Sequence, residues 1–205
     1  MKILNAQWLS NRWGRLTFDF PVEQYKNIIF VDIISDSFSI RAKTFIDSEN
    51  SNILHYVISD SLQYGLKTTI DIAAVYQNSN KIIDSVKIAA RMPIVKDTNY
   101  ISITNYKKNT VLNIDKEVIM PLNIYFSKIM DNTNLDSAIT LYKDSSLLEI
   151  EMIWASPMHL EILPKANWEP VSKYSLSIFR DKISVENNRT IEDSIKVIAI
   201  STTQY

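Results

Sequence analysis

Apolar residues occur at every second position in short bursts along the chain, and bursts in one half return in the other at a nearly constant distance. Leu16, Phe18 and Phe20 form one burst, Ile70 and Ile72 another, then Leu122, Ile124 and Phe126, then Leu176 and Ile178. Successive side chains of a strand point to opposite faces, so this period makes one face apolar and the other wet. Each burst predicts a half-buried strand. A shift of 106 residues carries Leu16, Phe18 and Phe20 onto Leu122, Ile124 and Phe126, Leu54 onto Leu160, Leu62 onto Trp168, Lys67 onto Lys173, and Ile70 and Ile72 onto Leu176 and Ile178. The shift becomes 109 where Asp84-Ser-Val-Lys-Ile88 meets Asp193-Ser-Ile-Lys-Val197, and 108 where Ile3-Leu-Asn5 meets Val111-Leu-Asn113. A duplicated domain with variable loops leaves this signature.

The 205 residues suit one large domain or two of about 100 residues. The repeat decides for two, 1–92 and 109–205. Residues 93–108 are a linker or an extra strand: Pro93 and Lys96-Asp-Thr-Asn99 interrupt the alternation, while Ile101 and Ile103 continue it as a last strand of the first domain or a first strand of the second. A helical period is nearly absent. Its best instance comes after Asp131, where Leu135, Ala138 and Ile139 predict a turn or two capped by that Asp. With two glycines in the chain, turns fall to Asn, Asp and Ser, as in Asn78-Ser-Asn80, Asp47 to Asn52 and Glu186-Asn-Asn-Arg189.

Phe126-Ser127 with Met130-Asp131, then Ile162-Leu-Pro164, Trp168 and Tyr174-Ser-Leu176-Ser-Ile178 give residues 115–200 a motif order that resembles the immunoglobulin-like domains of bacterial S-layer and other surface proteins. The usual Gly of the last hairpin is missing from Val185-Glu-Asn-Asn-Arg189. The first half is a more distant relative, with Thr68 where the second has Tyr174, and is also similar to a fibronectin type III domain. The fold class expected is all-β, as two tandem Ig-like β-sandwich domains.

The chain is short of candidates for chemistry. With 22 basic and 23 acidic residues it has no field to hold a phosphate backbone, so nucleic acid is not an expected partner. There is no Cys, so no disulfide or thiolate site is possible. His55 and His159 read as structural, and no cofactor or metal is expected. Asp131-Asn-Thr-Asn-Leu-Asp136 and Asp47 to Asn52 are oxygen-rich, yet lack the Gly and distal Glu of a calcium loop. Asn188-Arg-Thr190 is a formal glycosylation sequon that reads as a hairpin turn. Trp8, Trp154 and Trp168 read as strand or core residues.

Trp13 stands apart. Ser10-Asn-Arg12-Trp13-Gly-Arg15 reads as a turn with an exposed indole beside two arginines, and Trp and Arg are the residues enriched at binding hot spots. Arg12, Trp13 and Arg15 are therefore the candidate partner contact, against the alternative that Trp13 folds back over its own sandwich.

The start reads as Met1 without an export signal, though a piece of a longer secreted protein would look the same. No run of about 18 apolar residues occurs, so membrane insertion is not expected. The functional expectation is a non-enzymatic structural protein whose partners are other subunits of a larger assembly, with a phage virion component as the first reading. The alternatives are a stalk or adhesin piece of a bacterial surface protein, and a module binding surface glycan through Trp13, Tyr25 and Tyr64.

Overall fold

A computed structural model describes residues 2–25, 27–76, 82–104, 109–114, 120–130, 135–183 and 195–204. The chain divides into two compact units, Met1–Asp97 and Thr98–Tyr205. Among the described residues the only helical pieces are two short 3₁₀ turns, Val22–Tyr25 and Arg180–Lys182. The helix anticipated after Asp131 lies partly outside the described residues. Its described part is a single turn, in which the Ala138 and Ile139 amides donate to the Leu135 carbonyl.

The first unit runs β1 (Ile3–Trp8), β2 (Trp13–Phe18), β3 (Asn27–Ser35), β4 (Phe38–Arg41), β5 (Lys43–Ile46), β6 (Ile53–Val57), β7 (Lys67–Tyr76) and β8 (Ile82–Arg91). Its sheets have the orders β1-β2-β6-β5 and β4-β3-β7-β8. Lettered in chain order A, B, C, C′, D, E, F and G, these are an ABED sheet and a C′CFG sheet, the immunoglobulin arrangement. Leu16, Phe18, Leu54 and Tyr56 from one sheet meet Val31, Ile33, Ile70 and Ile72 from the other in a single core.

The second unit runs β9 (Ile103–Thr104), β10 (Asn109–Ile114), β11 (Leu122–Phe126), β12 (Ile139–Lys143), β13 (Ser146–Leu148), β14 (Ile150–Ser156), β15 (His159–Pro164), β16 (Lys173–Ile178) and β17 (Ile195–Gln204). Its sheets are β14-β15-β11-β9 and β10-β17-β16-β12-β13. The A-strand position is divided between the sheets: β9 pairs antiparallel with β11, and β10 pairs parallel with the last strand, β17. Leu122, Ile124, Phe126, Leu160 and Ile162 pack against Ile139, Leu141, Leu176 and Ile178, with Ile101 fully buried among them. The alternating pair Ile101 and Ile103 thus belongs with this unit.

Strand pairing corrects the repeat in detail. Leu16 faces Leu54, whereas Ile124 faces Leu160. If Leu54 matches Leu160, then Leu16 matches Ile124 and Phe18 matches Phe126, a shift of 108 and not 106. The next strands agree, because Ile33 faces Ile70 and Leu141 faces Leu176. Phe20 lies beyond β2 and is 58% exposed, so it is no counterpart of the buried Phe126. At the last strand, Ile72 faces Val86 and Ile178 faces Ile195, but Ile70 faces Ile88 and Leu176 faces Ile198. The shift grows from 109 to 110 across a register irregularity between Leu176 and Ile178. Finally, Ile3-Leu-Asn5 and Val111-Leu-Asn113 lie on β1 and β10, which join non-equivalent sheets of their respective sandwiches.

Candidate functional site

The Arg12 to Arg15 tip is closed. The Leu9 and Ser10 amides both donate to the Trp13 carbonyl, tightening the turn between β1 and β2. The segment after β6 then lies against it: the Ile58 amide donates to the Arg12 carbonyl, the Arg12 Nε to the Ile58 carbonyl at 3.1 Å, and the Leu62 amide to the Asn11 carbonyl. Arg12 and Trp13 are each only 6% exposed, and Arg15, within β2, is half-buried. The exposed indole expected from the sequence is replaced by the fold-back alternative. Trp13 is not available as a platform for a sugar either.

Trp13 Nε1 donates to His55 Nδ1 at 2.9 Å, and His55 Nε2 lies 2.8 Å from Asp47 Oδ2. An indole nitrogen can only donate, so Nδ1 must be the acceptor and Nε2 carries the proton toward Asp47. The Asp–His pair resembles that of a hydrolase triad with the two ring nitrogens exchanged, and the nitrogen left to take a proton from a nucleophile is occupied by a donor. The imidazole also lies on Phe45, with centroids 5.0 Å apart. Burial pushes the His55 pKa down, and Asp47, which pulls the other way, does not outweigh it. Burial would raise the Asp47 carboxyl, but hydrogen bonds from His55 and from the Glu49 and Asn50 amides leave it below its ordinary value. Those bonds engage both carboxylate oxygens of Asp47, the first residue of the oxygen-rich 47–52 segment.

A more open arrangement lies on the outer face of β4-β3-β7-β8. Arg41, Asp32, Asp71 and Lys87 are consecutive cross-strand partners on four neighbouring strands. Two carboxylates stand side by side in the middle of this row, and like charges opposite one another are unfavourable. Each is offset by a cation on its outer side. Arg41 grips Asp32 with Nε and one terminal nitrogen at 2.8 and 2.7 Å, and Lys87 lies 3.3 Å from Asp71. The Arg41 guanidinium also stacks over Phe30, 4.3 Å from the ring centroid. Ala73 and Ser85 continue the Phe30 row as a small-residue floor, in a depression of about 560 Å³. Sequence reasoning missed this face, since its four charges come together only through register.

The second unit is ordered at the corner before β16. Tyr174 Oη accepts from the Glu169 amide at 2.7 Å, a tyrosine corner of the kind found in immunoglobulin domains. Trp168 packs edge-on against Tyr174, its Nε1 donating to the Met120 carbonyl at 2.8 Å. At the position of Tyr174 the first unit has Thr68, whose hydroxyl accepts from Trp8 Nε1 at 3.0 Å and donates to the Ala90 carbonyl. Among the other sequence candidates, His159 stacks on Tyr125 with Nε2 2.7 Å from Asn123 Oδ1. Tyr64 is half-buried, while the Tyr25 side chain, Asp131 to Asn134 and the 188–190 sequon lie outside the described residues.

No protein-family model matches this sequence, and no curated protein matches it. Among solved structures the fold is similar to the N-terminal part of the bacterial S-layer protein SbsC, 8% identical with a TM-score of 0.36 over 98% of this chain. It is also similar to SbsC domains 1–6, 8% identical with a TM-score of 0.42, and to the N-terminal Ig1-2 module of the Drosophila receptor protein tyrosine phosphatase DLAR, 13% identical with a TM-score of 0.27. The chain spans 43% and 25% of the two S-layer chains and 98% of the DLAR module.

Proposed function

We propose that this chain is a non-enzymatic structural and interaction protein whose two Ig-like sandwiches serve an extracellular or cell-surface assembly. The observation that carries the interaction role is the outer face of β4-β3-β7-β8. Arg41 is held there in advance by Asp32 and Phe30, so little side-chain freedom remains to be lost when a partner docks. The non-enzymatic part is supported by His55, whose acceptor nitrogen is committed to Trp13. The surface setting is preferred to a virion on the motif order of residues 115–200, which resembles that of Ig-like domains in bacterial surface proteins. The decisive experiment is mass spectrometry of cell-surface fractions and of purified virions from the source organism. Recovery in the surface fraction is the expected result, and recovery only in virions would return the role to a phage component. Loss of the chain from its fraction on Arg41→Ala, with the fold intact, would identify the partner face.

A further inference from the structure

Asp32 and Asp71 face one another on β3 and β7, in the middle of the charged row, but they are unequally provided for. Both Asp32 oxygens accept from Arg41. Asp71 has only Lys87, 3.3 Å from Oδ2, and among the described residues it accepts no hydrogen bond. Its side chain is nevertheless largely covered, at 23% exposure. A carboxylate drawn out of water and set opposite a second carboxylate calls for a positive donor. Lys87 answers that call weakly, because its own side chain is 66% exposed and the pair is screened by solvent.

We infer that the depression beside Asp71 receives a basic side chain, an arginine or a lysine, from the protein partner that docks on this face. The inference rests on the docking role proposed above and adds the partner's chemistry. The row is ordered positive, negative, negative, positive. Above its midpoint the two carboxylates are the nearer charges, so a cation is attracted there although the four charges sum to zero. Next to that midpoint the floor drops to Ala73 and Ser85, with Phe30 beside Ala73 and Val75 further along β7. Phe30, Ala73 and Val75 form an apolar bed for the aliphatic stem of a basic side chain, while its charged head reaches Asp71. A carboxylate at the same place would be repelled. Calcium also suits the place poorly, since it takes about six to eight oxygen ligands and the lining offers few beyond the two carboxylates and Ser85.

The test titrates the full chain, isotope-labelled for nuclear magnetic resonance, with the peptide Ac-Ala-Arg-Ala-amide and its lysine, glutamate and citrulline counterparts. Citrulline keeps the shape of arginine without the charge. Amide shifts at Asp71, Ala73 and Ser85 are expected with the arginine and lysine peptides, at a Kd on the order of millimolar. The citrulline and glutamate peptides should bind at least about fivefold more weakly. Asp71→Asn should weaken the arginine peptide by about fivefold as well, and leave the urea midpoint of the first unit unchanged or higher, since it removes a like-charge opposition. A lower midpoint with unaltered peptide binding would reduce Asp71 to a structural partner of Lys87 and overturn the inference. Equal binding of the citrulline peptide, a stronger response to the glutamate peptide, or the same shifts with calcium chloride alone would overturn it too. None of these results touches the docking role itself, which the Arg41→Ala experiment decides.

Discussion

Gly65 and Val171 stand at the same place in the two units, two residues ahead of β7 and β16, and both hold left-handed backbone, with φ of 78° and 52°. Glycine meets that conformation without a steric cost, and a β-branched residue does not. The first unit spends one of the chain's two glycines there, and the second accepts strain at a valine that is 82% exposed. Val171→Asn should raise the stability of the second unit by about 1 kcal/mol, since Asn tolerates this region. Gly65→Val should lower that of the first by about 1–2 kcal/mol, although a Cβ there would meet open space. Urea titrations following each unit separately would measure both.

Gly14 is required for a different reason. It sits in β2 directly opposite Tyr56, and a Cβ there would run into the Tyr56 ring and come within 2.6 Å of the Gln7 carbonyl oxygen. The Tyr56 hydroxyl donates to that same oxygen at 3.0 Å, so the ring has no room to withdraw. Gly14→Ala should cost about 3 kcal/mol, the upper range for overpacking. Combining it with Tyr56→Leu should cost less than the sum of the two changes, which a double-mutant cycle in urea would reveal.

Acid should loosen the first unit through His55. Burial depresses its pKa, so the folded state binds this proton less readily than the unfolded chain. Its contribution to stability is complete above the unfolded value near 6.5 and is lost as pH falls below it toward the lower folded value. A protonated Nδ1 would point a donor at the Trp13 N–H, which gives the structural reason. The urea midpoint of the first unit should therefore fall between pH 7.5 and 5, and His55→Gln should flatten that slope. His159, depressed chiefly by burial, adds a slope of the same sign to the second unit, so the units must be followed separately.

Tyr174→Phe keeps the ring against Trp168 and removes the acceptor of the Glu169 amide. The expected loss is about 1–2 kcal/mol in the second unit with little change in the first, read from calorimetry or urea unfolding. Faster amide exchange at Glu169 would locate the effect.

The strands themselves are legible in the sequence because alternation is local: Leu16 and Phe18, or Leu122 to Phe126, declare an inner face without knowledge of their neighbours. Register is not. A shift of 106 and one of 108 differ by two residues and place the same faces inward, so alternation cannot separate them, and Phe20 is drawn into the pattern by parity alone. Trp13 is misread for a related reason. Ser10-Asn-Arg12 has the composition of an exposed turn, and nothing nearby announces that Ile58 to Leu62 will close over it. The charged row is harder still to find, since Asp32, Arg41, Asp71 and Lys87 become neighbours only when four strands align.

The parallel pairing of β10 with β17 has a mechanical consequence. Tension applied at the two ends of the second unit pulls β10 toward its start and β17 toward its finish, so the six paired positions from Asn109–Ala199 to Ile114–Gln204 are loaded in shear and must yield together. In the first unit β1 and β8 lie in different sheets, and each pairs only with an antiparallel neighbour, so such a clamp is missing among the described residues. A stretched molecule would give way first in its N-terminal half, and the C-terminal sandwich would bear the higher force.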